Sequence, residues 1–225
     1  MQAIVFDFDG LILDTETPEF RVWTEVFHEH GVAIPEGYWT SHIGSGAEQE
    51  IERPGALLER VTGGAYVHSD ESLERCRVRI RELIQHEKPR PGVVELITEA
   101  RENHVPLGIA SSSRHVWVDR FLKQLGLIEY FDHVVCADDV HRAKPFPDLY
   151  QLVCALLGTL PDETIALEDS PNGVAAAKVA GLYVFAVPNS VTCHLDLSAA
   201  DRILDTLDGV GLEDLLRMKR AAVPI

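Results

Sequence analysis

The feature that most constrains the fold lies between residues 89 and 187, where short apolar runs alternate with amphipathic ones. Pro106 to Ala110, His133 to Ala137, Thr164 to Leu167 and Leu182 to Val187 read as strands. Between and around them, Val93 to Asn103, Arg114 to Leu125, Pro147 to Leu157 and Pro171 to Ala180 read as helices, the last three closed by Gly126, Gly158 and Gly181. A helix from about Leu212 to Arg220 follows. Strands joined by helical crossovers make a parallel sheet with helices on both faces. The opening run, Ala3 to Phe6, is apolar and rich in β-branched residues. Too short to be stable alone, it must join the same sheet. The expected fold is α/β: a Rossmann-like parallel sheet core with helices on both faces. The tail from about Ser190 is expected to pack on the sheet's edge.

Residues 16 to 88 interrupt that pattern with helices alone. Thr17-Pro18-Glu19 has a hydroxyl N-cap, a proline at the first helical position and an early acid. Phe20, Trp23 and Phe27 then form a stripe that ends at Gly31. Further helices are predicted at about Ala47 to Val61 and Ser69 to His86. The chain therefore divides into a core, residues 1–15 and 89–225, and an inserted α-helical cap, residues 16–88.

Composition restricts the partners. With 225 residues, 46% of them hydrophobic, the chain can bury a substantial core. A formal charge of -16 argues against nucleic-acid and anionic-membrane partners, and obliges any anionic substrate to find a local cationic pocket. Cys76, Cys136, Cys154 and Cys193 are widely spaced, as suits reduced thiols. No apolar run approaches membrane-spanning length and the N-terminus has no signal-peptide pattern. A cytoplasmic, monomeric protein is expected. The ten histidines are scattered and read as surface residues.

In parallel sheets, ligands bind beyond the carboxyl ends of the strands, and four such ends here carry polar residues. Asp7 and Asp9 project to one side of the first strand, roughly 7 Å apart at Cα. Carboxylates so placed need a cation, a shared proton or full hydration. Gly10 lets the chain turn and keeps the space beside them open. Ser111-Ser112-Ser113 stands where a strand meets a helix start, a position that suits either a phosphate or a helix cap. Lys144 lies in Ala143-Lys144-Pro145-Phe146-Pro147, kept out of a helix by the prolines. Glu168-Asp169-Ser170-Pro171 ends a strand in two acids, which fits either N-cap chemistry or an oxygen-ligand site. Taken together, acids for a hard cation such as Mg²⁺ and a hydroxyl, amides and a lysine for a phosphoryl group describe one centre. One carboxylate attacks phosphorus there while another protonates the leaving oxygen.

The motifs FDFDGLILDT, IASSS, AKPFPDLY and IALEDSPNGVAAAKVAG resemble, in order and spacing, the four motifs of the haloacid dehalogenase superfamily, in the helical-cap branch that includes β-phosphoglucomutase and many small phosphatases. The resemblance spans essentially the whole chain. It implies that Asp7 is the nucleophile and that Asp9 is general acid and then base, with its backbone carbonyl on the metal. It further implies that Ser111 holds the phosphoryl group, with Gly10 and Ser112 beside it, that Lys144 neutralises charge, and that Glu168 and Asp169 complete a Mg²⁺ site with Asp7. The implied activity is Mg²⁺-dependent hydrolysis of a small phosphorylated metabolite, a sugar phosphate or similar, through an aspartyl-phosphate. The cap, hinged near Asp14-Thr15 and Lys88-Pro91, would close over the site and supply specificity. The mutases of the branch are similar to one another in having a histidine where this chain has Glu19, and a substrate arginine where it has Ala47. Those departures weigh against the alternative of a phosphosugar mutase. A 2-haloacid dehalogenase and a non-catalytic binding module are the remaining readings. Trp23 and Trp117 are expected in core or cap–core contacts, and Trp39 is a candidate for the pocket wall.

Overall fold

The computed structural model describes residues 3–39 and 52–221. The first strand, β1 (Ala3–Phe6), is followed by three helices, α1 (Glu16–Glu29), α2 (Pro54–Val61) and α3 (Asp70–Ile84). Thereafter strands and helices alternate: α4 (Val93–Glu102), β2 (Leu107–Ala110), α5 (His115–Gln124), β3 (His133–Val135), α6 (Asp148–Leu157), β4 (Thr164–Glu168), α7 (Pro171–Ala180) and β5 (Tyr183–Ala186). A two-residue strand, β6 (Arg202–Ile203), and α8 (Leu212–Ala221) complete the described chain. All strand pairings are parallel, and the sheet order is β3-β2-β1-β4-β5-β6. The expected α/β sheet with helices on both faces is the observed one.

The pleat sorts the core into two layers. Ile4 and Phe6 of β1 pack with Val93 and Leu96 of α4, Phe121 of α5 and Leu215 of α8. Val5, between them, packs on the opposite face with Val153 of α6 and Val174 of α7. Gly108 on β2 has the space a Cβ would need filled by Val153, 2.5 Å away, so α6 lies close against that strand.

Several boundaries differ from the sequence reading. Helix α1 begins at Glu16, not after Thr17: Asp14 Oδ1 accepts the Thr17 N–H at 3.0 Å and replaces the expected threonine cap. Phe20 is partly exposed and meets Trp39 edge-on at 5.3 Å, whereas Trp23 and Phe27 are buried. Among its described residues the second helix starts only at Pro54, whose fixed φ suits the first helical position. Its expected beginning near Ala47, and Ala47 itself, lie outside the described residues. The tail contributes β6, which extends the sheet beyond β5.

The segment between β1 and α4 contains no strand among its described residues. Its two junctions with the rest of the chain run side by side, through a bridge between Leu13 and Pro89 and an Arg90 N–H donated to the Ile12 carbonyl at 2.9 Å. No helix among the described residues is long and apolar enough to cross a membrane.

Candidate active site

The strand order puts β1 between β2 and β4, so the carboxyl ends of these three converge. Asp7 follows β1, Ser111 follows β2, Glu168 ends β4 and Asp169 follows it. Lys144 reaches them from the loop before α6. All five are at least nine-tenths buried. Sequence neighbours supply local reasons for the placement. Ser170 caps α7 by accepting the Gly173 N–H at 3.1 Å, with Pro171 at the first helical position, and this fixes the two preceding acids at the helix start.

Carboxylate oxygens of Asp7, Glu168 and Asp169 lie within 4.8 Å of one another, a grouping able to hold a metal ion. Lys144 Nζ donates to Asp7 Oδ1 and, at 2.6 Å, to Glu168 Oε1. Glu168 also accepts from the Tyr150 hydroxyl, the Asp169 N–H at 3.2 Å and Ser170 Oγ at 3.3 Å. With both its oxygens engaged, Glu168 holds the lysine in place. Asp7 Oδ2 and Asp169 Oδ1 accept no hydrogen bond from any described residue and keep their lone pairs for a cation. The donor set is all oxygen, which suits a hard divalent ion.

Electrostatics points the same way. Burial, with Glu168 and Asp9 nearby, pushes Asp7 up to about 8, although Lys144 pulls the other way. Burial and the neighbouring acids, Glu16 foremost, raise Asp169 well above the usual carboxylate range. Lys144 is itself raised, because Asp7 and Glu168 outweigh its burial, so it stays charged. One buried cation among three acids leaves the cluster short of positive charge.

Asp9 is held apart from that cluster. Its carboxylate accepts from Thr15 Oγ1 at 2.9 Å, Ser113 Oγ at 2.6 Å, Trp117 Nε1 at 2.8 Å and, at the limit of bonding, Ser111 Oγ at 3.4 Å. Only its backbone carbonyl is left for the metal role that the resemblance implies. Ser111 Oγ also accepts the Ser113 N–H at 3.0 Å, while the buried Ser112 hydroxyl has no partner among the described residues. Gly10 has φ +79°, and a Cβ there would stand 2.3 Å from Asp169 Oδ2. Its N–H is taken by the Leu13 carbonyl and its own carbonyl by Arg90. Gly10 therefore leaves room for Asp169, with its N–H and carbonyl both engaged within the protein.

The site opens into a cleft of about 460 Å³ under α1, α2 and α3. Trp39, Arg53, Ile80 and Glu19 line its far side; Ser112 and Lys144 line the near side. Trp39 is thus in the wall, as expected. Trp117 packs against the core, as expected, and in addition lines the cleft and donates to Asp9. Sequence reasoning also passed over Asn189, Arg90 and Glu16. Asn189 Nδ2 donates to Asp169 Oδ2 at 2.8 Å, and Arg90 binds the carbonyls of Gly10, Val187 and Pro188.

Comparison with known proteins agrees with this geometry. The chain is 42% identical over 216 residues to YhcW of Bacillus subtilis (strain 168), a candidate phosphatase by name, covering 96% of each chain. It is 31% identical over 187 residues to the phosphorylated carbohydrates phosphatase of Thermotoga maritima, covering 81% of this chain and 82% of that one. The crystal structure of CbbY from Rhodobacter sphaeroides in complex with phosphate superposes with a TM-score of 0.75 at 30% identity, over 96% of this chain and 99% of that one. The family model for haloacid dehalogenase-like hydrolases matches residues 4–187, and the chain belongs to that family of enzymes.

Proposed function

We propose that this enzyme is a Mg²⁺-dependent phosphatase that hydrolyses a small phosphorylated metabolite, a sugar phosphate or similar, through an aspartyl-phosphate on Asp7. The observation that carries the reading is the buried group of Asp7, Glu168 and Asp169 around Lys144, with the Asp9 carboxylate held separately beside Ser111. The named activities of the Bacillus and Thermotoga relatives support the same class of reaction.

Asp7 and Asp169, with the Asp9 carbonyl, would hold the metal, and Glu168 would steady the site through Lys144. When bound, Mg²⁺ supplies the positive charge that lets Asp7 ionise beside a phosphate dianion. The Ser111 and Ser112 hydroxyls and Lys144 bind the phosphoryl oxygens. Asp7 attacks phosphorus, and Asp9 gives its proton to the departing ester oxygen. Asp9 then takes a proton from the water that attacks the aspartyl-phosphate, which frees phosphate and restores Asp7. The helical segment 16–88 acts as the cap, hinged at residues 14–15 and 88–91, and excludes bulk water as it closes.

The test is phosphate release from a panel of phosphorylated sugars and other small esters, with Mg²⁺ and with EDTA. Release that depends on metal and disappears in Asp7→Asn is expected. Release that persists in Asp7→Asn would exclude the covalent route, and release unaffected by EDTA would exclude the metal.

A further inference from the structure

The metal acids are tied to the first residue of the cap by a single side chain. Asn189, in the loop after β5, is buried and pinned at its carbonyl end, where Oδ1 accepts the N–H groups of Val191 and Thr192 at 2.8 and 2.9 Å. Its own N–H donates to Thr192 Oγ1 at 2.9 Å. That turn leaves the amide nitrogen no freedom to rotate away. It donates to Asp169 Oδ2 at 2.8 Å, Glu16 Oε2 at 3.2 Å and the Gly10 carbonyl at 3.3 Å. Two protons cannot satisfy three acceptors fully. The two carboxylates therefore share one donor and lie close enough to repel.

Glu16 begins α1 and sits at the edge of the cleft. It is half-buried; Asp9, Asp7 and Asp14 repel its carboxylate, and the Arg90 guanidinium attracts it. Among the described residues Asn189 is its only hydrogen-bond partner. An exposed helix-start acid gains from the helix dipole alone. A half-buried one facing several acids, Asp169 included, against Arg90 alone is steadied by a further cation close by. Arg90 gives its hydrogen bonds to three carbonyls and so reaches Glu16 through charge alone.

We propose that Glu16 is a further carboxylate of the metal site, contributed by the cap and joined to Asp169 through the Asn189 amide, so that metal loading steadies the cap's first turn. Glu16 and Asn189 are positioning residues here, since neither touches the reacting atoms. The inference rests on the metal site proposed above. Hydrogen-bonded partners of metal ligands hold those ligands in orientation, and losing one weakens metal binding by about 10- to 100-fold.

The experiment measures Mg²⁺ affinity by titration calorimetry and the thermal midpoint with and without Mg²⁺, on the full chain. Glu16→Gln keeps the shape and removes the charge; Asn189→Ser removes the amide and keeps a hydroxyl for the turn. Each is expected to weaken Mg²⁺ binding about tenfold, and the double variant to lose little more than either alone, because the two act through one link. The midpoint without metal should not fall in Glu16→Gln, while the rise on adding Mg²⁺ should shrink. Wild-type affinity in Glu16→Gln, with binding lost in Asp169→Asn, would overturn the inference and leave the metal site standing. A lower metal-free midpoint with unchanged affinity would make Glu16 merely structural and overturn it as well. No Mg²⁺ binding by the wild type would overturn both.

Discussion

Replacing Gly173 by alanine sets two calculable effects against each other. Gly173 lies within the first turn of α7, and helix propensity alone favours alanine there by about 1 kcal/mol. The site predicts the opposite sign. A Cβ on Gly173 would stand 2.0 Å from the carboxyl carbon of Glu168 and from both of its oxygens. No rotation about that carboxylate relieves such a contact, so the whole Glu168 head group must move. It would leave Lys144 Nζ, Tyr150 Oη, the Asp169 N–H and Ser170 Oγ. Separating a buried, hydrogen-bonded charge from its partner costs about 3–5 kcal/mol. Set against the helical gain, Gly173→Ala is expected to destabilise the protein by about 2–4 kcal/mol. For a chain of this size that lowers the thermal midpoint by roughly 4–16 °C. Calorimetric melting in EDTA reads it directly, and the Mg²⁺-induced rise should be lost in the variant. If Gly173→Ala melts at or above the wild-type midpoint, the packing of Glu168 against α7 is not what holds Lys144 in place.

Two further outcomes follow from the same geometry. Trp117→Phe removes the indole N–H that Asp9 accepts while keeping a ring against Phe121, 4.8 Å away. Phosphate release should fall about tenfold in kcat, the worth of one charge-assisted hydrogen bond, with KM within a few fold and the melting midpoint nearly unchanged; a wild-type kcat would remove Trp117 from the site. His115 is half-buried, and burial disfavours its charge, but Asp119 at 3.1 Å and Asp139 at 2.7 Å outweigh that and raise its pKa. The unfolded imidazole titrates near 6.5, so its stabilisation is complete below that pH and is lost as pH rises through the higher folded value. Urea unfolding should show His115→Gln less stable than wild type by up to about 1 kcal/mol at pH 6. The gap should close by pH 9, and an equal gap at both would refute the charge pairing.

How much of this was legible in the sequence depends on whether a residue's role is set by its neighbours in the chain. Ala3–Phe6 and Thr164–Glu168 are buried throughout, so their apolar runs betray them, and the acids that follow stand out by contrast. Lys144 is conspicuous because the two prolines that follow it, Pro145 and Pro147, keep it out of helix. Strand β6 gave no such signal: Arg202 and Ile203 are both exposed, and only the edge of β5 makes them a strand. Asn189, in Pro188-Asn189-Ser190, reads as turn chemistry, and its carbonyl end does make a turn. Its nitrogen belongs to the site only because β5 ends beside β4, a fact of sheet order and not of local pattern. Trp117, four residues before Phe121, has core spacing; which atom its indole presents, and to what, depends on β1, the strand beside the one that precedes its helix.

Charge makes the last connection between fold and chemistry. The chain as a whole is strongly acidic, yet the proposed substrate is a phosphate dianion. Three buried carboxylates, with Glu16 nearby, outnumber Lys144 and the more distant Arg90, an excess of negative charge that a divalent cation would reduce more than a monovalent one. Burial, with Glu168 and Asp9 nearby, pushes Asp7 up to about 8 against the pull of Lys144, which works against the ionised form that the proposed mechanism needs. In the proposed mechanism a cation among the acids would favour the ionised Asp7 and lessen the repulsion that an incoming phosphate would meet. The buried acids and the buried lysine are therefore parts of one device. Each is costly alone, and the strand order that gathers them at one edge is what makes them tolerable together.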